Sequence, residues 1–112
     1  MKNTKKILAT LTALSLMATL PLNAVALDWN IDEGNITVNA RADGQTVTQG
    51  AQQDVPDPEP VIKQNDNTKS TSNTVTINAE KDQDANVTIK DVNIDTSSTG
   101  GAAISKIGRA HV

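Results

Sequence analysis

The 112-residue chain has no cysteine, no phenylalanine and no tyrosine, and it has one tryptophan. The absence of cysteine excludes a disulfide scaffold, a thiolate metal site, a cysteine nucleophile and a diacylated lipoprotein anchor. Large apolar groups are also few, because only sixteen side chains in residues 27–105 are Val, Ile, Leu, Met or Trp, and fourteen of these are Val or Ile. A segment of about 80 residues with this composition is marginal as an independent folding unit.

Charge is unevenly distributed along the chain, whose overall net charge is −3. Residues 27–105 contain thirteen acidic and five basic side chains, which gives that segment a net charge of −8. An acidic surface repels nucleic acid and anionic lipid, so we expect neither as a partner.

Residues 1–26 are typical of a secretory signal peptide. Three lysines are followed by fourteen uncharged residues (7–20), and Ala24 and Ala26 are the small residues that signal peptidase requires. We therefore place the cleavage between Ala26 and Leu27. A retained membrane anchor is the alternative, but the apolar stretch is short for a span of about 20 residues and no cationic flank follows it. We expect a secreted or cell-surface protein with no membrane segment after cleavage.

Residues 106–112 match nothing earlier in the chain, and they contain its single histidine, His111. Residues 107–112 can be encoded by ATC GGA AGA GCA CAC GTC, which resembles the start of a common sequencing-library adapter. A genuine C-terminus is the alternative. We expect a non-native tail and a natural chain that continues beyond Ser105, so we assign His111 to no site.

Residues 27–48 are predicted to form N-terminal strands. Ile36 and Val38 alternate with Thr37 and Asn39, which is the period of a β-strand. A turn at Asp43-Gly44 precedes a second short strand over residues 45–48. Residues 49–73 lose this pattern and have proline at every second position from 56 to 60, so they are predicted to be a linker or a long surface loop.

Residues 74–105 return to the strand pattern. Residues 74–79 nearly repeat residues 35–40. Further on, Val87 and Ile89 have one parity and Val92 and Ile94 the other, so a continuous strand would direct the two pairs to opposite faces. A bend or bulge at residues 90–91 would keep all four inside.

Short Val/Ile/Thr strands separated by Asp, Asn and Gly turns predict an all-β fold. The two candidates are a β-sandwich and a parallel β-helix. The parity change, the small inward residues and the scarcity of aromatics favour the start of a parallel β-helix, with residues 74–105 as its first rungs.

Several segments resemble secreted surface proteins of gut and rumen Firmicutes. These segments are residues 34–38, 43–50, 71–79, 85–95 and 100–105. That family has a right-handed parallel β-helix described as carbohydrate-binding, and related members bind acidic plant polysaccharide with calcium. The resemblance implies a polysaccharide partner, with Ca²⁺ possible in the full-length protein. The family's ligand-binding rungs would lie beyond Ser105, so the resemblance assigns no binding residue in this chain.

Three local features are candidates for binding sites. Asp82, Asp84 and Asn86 have the spacing of the first calcium-loop ligands, but Val87 replaces the required glycine, which favours a solvated turn. We also expect Asp91 and Asp95 to be turn residues that bond to their own backbone rather than cation ligands.

Trp29 is the third feature. It stands alone in sequence, so we expect it to cover the apolar end of the first rung rather than to stack on a sugar.

No catalytic residue is assigned, because no carboxylate pair stands out as an acid/base couple. The first hypothesis is an exported carbohydrate-binding module. The second is a structural or adhesin-like surface solenoid, and the third is a polysaccharide lyase or hydrolase whose chemistry lies downstream.

Overall fold

The structure is a computed structural model that describes residues 26–112. The predicted signal peptide, including Ala24, therefore lies outside the described residues except for Ala26. The described part is all-β, as predicted, and one 3₁₀ helix (Ile31–Glu33) follows the first strand. The strands are β1 (Asp28–Asn30), β2 (Ile36–Arg41), β3 (Gly44–Gln49), β4 (Gln52–Pro56), β5 (Val61–Lys63), β6 (Val75–Ala79), β7 (Asp84–Asn86), β8 (Thr88–Ile89), β9 (Ile104–Ile107) and β10 (Arg109–His111). No helix in residues 26–112 is long and apolar enough to cross a membrane.

The strands form three sheets. Their orders are β9-β6-β2-β3-β4, β1-β5-β8 and β10-β7. In the five-stranded sheet, β2 pairs with β3 and β3 pairs with β4, and both pairings are antiparallel. The other strand pairs are parallel, so later passages of the chain lie in register on earlier ones.

The predicted strands β2 and β6 lie side by side and supply the centre of the core. Ile36 pairs with Val75 and Val38 pairs with Ile77, and all four side chains are fully buried. Alternation places the apolar side chains of both strands on the same face of the sheet. The buried apolar cluster consists of Trp29, Ile31, Ile36, Val38, Ala40, Val47, Ile62, Val75, Ile77, Ala85 and Val87.

The structure differs from the sequence prediction in residues 49–73, where a linker or long loop was expected. This segment contains β4 and β5, and it buries Asp57, Pro60 and Ile62 completely. The reason is tertiary pairing, because β5 lies between β1 and β8 while β4 extends the hairpin. A positive φ of 50° at Asp54 and a register shift opposite β4 disrupt the local alternation that sequence reading depends on.

The predicted bend at residues 90–91 is confirmed. β8 ends at Ile89, and Asp91 has a φ of 53°, which reverses the side-chain parity. As a result Ile89, Val92 and Ile94 all pack against the buried cluster.

Residues 106–112 continue β9 and form β10, and residues 106 and 107 invert the inside-outside pattern, whereas Ala110 lies opposite the buried Ala85. Lys106 lies at the register position of the buried Ile77, whereas Ile107 lies beside the outward Asn78 and is 63% exposed. At the corner between β9 and β10, Gly108 has a φ of 83°, and a Cβ there would lie 2.3 Å from the carbonyl oxygen of Ala79. The non-native origin of this tail stays a prediction.

Candidate functional site

The outward side of the five-stranded sheet is the most regular surface in the described part of the chain. Its side chains alternate with the inward-facing residues of the same strands, and its Thr, Asn and Ser side chains are half-buried, whereas Ile107 at the end of β9 is 63% exposed. We call this surface the hydroxyl–amide face; it consists of Thr37, Asn39, Thr46, Thr48, Thr76, Asn78 and Ser105.

Strand register arranges the hydroxyl–amide face in two rows. One row crosses four adjacent strands, in the order Thr48, Thr37, Thr76 and Ser105. The second row runs two residues along the strands, in the order Thr46, Asn39 and Asn78. Neighbours within a row are separated by the strand spacing of about 4.8 Å, and the rows are about 6.6 Å apart. The result is a two-dimensional array of groups that can each donate and accept hydrogen bonds.

The second row is held together by its own amides. Asn78 Nδ2 donates to Asn39 Oδ1 at 3.1 Å. Each carboxamide has two N–H groups and an oxygen with two lone pairs, so this bond uses only part of the capacity of either side chain. This hydrogen bond thus fixes the two amide groups and leaves them able to bond to a ligand.

The hydroxyl–amide face is uncharged although residues 27–105 have a net charge of −8, from thirteen acids and five bases. Arg41 and Asp54 lie at its hairpin end, where Nη1 and Oδ1 are 3.4 Å apart. The same Oδ1 accepts a hydrogen bond from Thr46 Oγ1 at 3.3 Å. These two opposite charges offset each other, so the face suits a neutral polar ligand better than an ionic one.

Two open grooves provide a different kind of candidate site. The first has a volume of about 390 Å³ and is lined by Leu27, Asp28, Trp29, Asn30, Glu33, Gln49, Gln52, Val55, Lys63 and Asn65. Three of its polar side chains have structural partners. Lys63 Nζ lies 2.9 Å from Asp28 Oδ2, and Gln49 Nε2 donates to two backbone oxygens. The second groove, about 330 Å³, includes His111 and Val112 of the tail. Neither brings convergent reactive groups together, so the hydroxyl–amide face is the stronger candidate.

Trp29 packs in the core, as expected, while its place at the end of a first rung stays a prediction. The side chain is 4% exposed and belongs to the buried cluster. Its Nε1 donates to Asp57 Oδ2 at 2.8 Å. An indole ring in this position cannot stack on a sugar.

Two of the three residues with calcium-loop spacing have other partners. Asp84 Oδ1 forms an ion pair with Arg109 Nε at 2.9 Å. The backbone of Asn86 is bonded through both N–H and C=O to the side chain of Gln45. Within residues 26–112, no group of three or more His, Cys, Asp or Glu side chains is arranged to hold a metal ion.

The turn role of Asp95 is confirmed. Its Oδ1 accepts a hydrogen bond from the backbone N–H of Ser97 at 2.9 Å. Hydrogen bonds from the backbone and side chain of Ser97 lower the pKa of Asp95, because they stabilise the charged carboxylate. Asp91 occupies the bend described above.

Sequence reasoning missed the hydroxyl–amide face and the buried Asp57. A signal for the face was present, since Thr and Asn recur at matching positions in residues 35–40 and 74–79. The burial of Asp57 had no local signal. Comparison with known proteins finds no homologue. No family model matches the chain, and no curated protein or solved structure matches it.

Proposed function

We propose that the chain is an exported carbohydrate-binding module that forms the first coils of a right-handed parallel β-helix. In this proposal the hydroxyl–amide face binds a neutral polysaccharide and catalyses no reaction. The observation that carries the proposal is the in-register array of uncharged Thr, Ser and Asn side chains on four adjacent strands, of which β2, β6 and β9 are parallel.

The parallel register supports a β-helix over a β-sandwich. A sandwich is built from antiparallel sheets packed face to face, whereas here strands of all three sheets pair in parallel. Stacked partners such as Asn39 and Asn78 are 39 residues apart, which falls within the period of repeat architectures.

The two edges of the five-stranded sheet also differ in a way that supports further coils. One edge of the sheet is β4, which contains Pro56 and the charged Asp54 and has a bulge opposite it. These three features block pairing with another strand. At the other edge, β9 leaves Ile104 and Ile107 38% and 63% exposed. An additional coil stacked on β9 would cover this apolar surface.

The chemistry of the face suits a neutral sugar polymer. Sugar hydroxyls both donate and accept hydrogen bonds, and so do the side chains of Thr, Ser and Asn. Each such bond is weak, with a net contribution of about 1 kcal/mol. A repeating polymer that engages several rows at once gains affinity through effective concentration. An acidic polysaccharide would be repelled by the net charge of −8 in residues 27–105 unless a cation such as Ca²⁺ bridged the two.

The test is binding of the exported protein to insoluble cellulose, chitin and pectin, with and without added calcium. The informative variant is Thr37→Val with Thr76→Val, because valine keeps the β-branched shape and removes two hydroxyls from the first row. The matched control is Thr88→Val, which makes the same change at an exposed position in another sheet. Two lost hydrogen bonds, at about 1 kcal/mol each, should weaken binding to a neutral polymer about thirtyfold, and the control should bind like the unmodified protein.

Two results would contradict the proposal. Equal binding by all three proteins would place the ligand on another surface. Retention by none of the polymers would favour the second candidate, a structural surface solenoid, for which the exposed β9 edge is the specific observation.

A further inference from the structure

Asp57 is the most completely enclosed charged side chain in the described part of the chain, with 0% of its surface exposed. It lies between β4 and β5. Its Oδ2 accepts from Trp29 Nε1 at 2.8 Å and from the backbone nitrogen of Leu27 at 3.1 Å, and its Oδ1 accepts from the nitrogen of Glu59 at 3.1 Å. The carboxylate thus connects Leu27 and β1 to a segment about 30 residues later.

In the uncleaved chain, where Ala26 is still joined to Leu27, these three donors are uncharged. The ion pairs within residues 26–112 are Arg41–Asp54, Lys63–Asp28 and Arg109–Asp84, and none of them includes Asp57. Burial of a carboxylate without an opposite charge is costly, and neutral hydrogen bonds offset only part of that cost.

One of the donors belongs to the residue that follows the predicted cleavage point. Hydrolysis of the Ala26–Leu27 peptide bond consumes one water molecule, leaves a carboxylate on Ala26 and turns the nitrogen of Leu27 into an α-amino group. That group is mostly protonated at neutral pH, since its ordinary pKa is about 7.7 to 8.0. Cleavage would therefore place a positive charge at the atom that lies 3.1 Å from Asp57 Oδ2.

We propose that Asp57 is the binding site for the α-ammonium group that cleavage creates on Leu27. Removal of the leader then completes a partly buried ion pair that fixes β1 against the segment between β4 and β5. Only the export step of the proposed function is needed here, since polysaccharide binding has no part in the pairing.

The surroundings of Leu27 suit this role. Ala26 is exposed and Leu27 is 37% exposed, so the chain can end at Leu27 without moving its neighbours. The carbonyl oxygen of Leu27 accepts from the nitrogen of Val61 at 2.9 Å, which holds the residue in place. A new ammonium group would thus be held with one N–H directed at the carboxylate.

The test exports the full-length precursor and determines the mature N-terminus by mass spectrometry. Four proteins are compared by urea unfolding: the unmodified chain, a chain with one alanine inserted between Ala26 and Leu27, Asp57→Asn, and the combination of both changes. The insertion moves the ammonium group one residue away and restores a neutral amide at Leu27. It should lower the folding equilibrium constant about tenfold or more when Asp57 is present, and it should have little effect in Asp57→Asn.

Asp28→Asn with and without the insertion is the matched control. It removes an exposed carboxylate one residue from the new terminus, and the loss caused by the insertion should persist in it. An equal loss in the Asp57 and Asp57→Asn backgrounds would overturn the inference, as would a mature N-terminus at any residue other than Leu27.

A second readout covers the case in which Asp57→Asn does not fold. The α-amino group of the native protein should react with an acylating reagent more slowly than it does in urea, and more slowly than the amino group of the alanine-extended chain. Equal reactivity in the native proteins would overturn the inference. Polysaccharide binding, measured separately, distinguishes failure of this inference from failure of the proposed function.

Discussion

Replacement of Ile77 by alanine tests whether the parallel strands share one packed interior. Ile77 is fully buried in β6, at the register position between Val38 and Lys106. Ile→Ala removes the equivalent of about three methylene groups, at about 0.8 kcal/mol each, and leaves a cavity. The expected loss of stability is about 3 kcal/mol, within the range of about 2 to 5 kcal/mol for such changes.

The matched control is Ile107→Ala, the same chemical change on the neighbouring strand β9. Ile107 is 63% exposed, so only about a third of the apolar contribution is lost, which is about 1 kcal/mol or less. A domain of this size has a total stability near the lower end of about 5 to 15 kcal/mol. Ile77→Ala should therefore bring it close to unfolding, whereas Ile107→Ala should not.

The assay is urea unfolding of the purified protein followed by far-UV circular dichroism. With a slope of about 1 to 3 kcal/mol per molar urea, Ile77→Ala should lower the midpoint by about 1 to 3 M. If it is unfolded without urea, titration with trimethylamine N-oxide recovers the folded baseline, because this osmolyte strengthens burial. Equal midpoint shifts in the two variants would refute the assignment of Ile77 to the inside and Ile107 to the outside.

Two further predictions concern the tail and a turn. Lys106→Val combined with Ile107→Asn restores the inside-outside pattern of β6, so it should raise the urea midpoint through a gain of about 1 kcal/mol; an unchanged or lower midpoint would contradict the register of β9. The pKa of Asp95 should lie below that of the same residue in an unfolded peptide, because Ser97 donates to its carboxylate. Its stabilising contribution is then present above the unfolded pKa and is lost as the pH falls through the folded pKa, and a carboxyl-carbon NMR titration with a midpoint at or above the peptide value would exclude this.

The elements that the sequence predicts well are those whose signal is local. β2 and β6 follow from strict alternation, and the bend at Asp91 follows from a change of parity between Ile89 and Val92. In each case a short stretch of chain determines which side chains face the interior.

The features that sequence reasoning missed depend on distant partners. β5 is a strand because β1 and β8 lie on either side of it, and Asp57 is buried because Trp29, 28 residues earlier, bonds to it. The candidate site depends on both a local signal and distant partners. The recurring Thr and Asn were visible in the sequence, but only the register of β2, β3, β6 and β9 aligns them in rows.

The antiparallel hairpin at one side of the five-stranded sheet has a consequence for the order of folding. β2 and β3 are joined by only two residues, Ala42 and Asp43, so they can pair within about 1 to 10 μs. The parallel pair of β2 and β6 instead closes a separation of 39 residues, at a greater entropic cost. The hairpin should therefore form first and present the free edge of β2 as a template for β6, which in turn templates β9. If the chain is exported as proposed, each later strand then folds onto an earlier strand that has already emerged, as β6 does on β2 and β10 on β7.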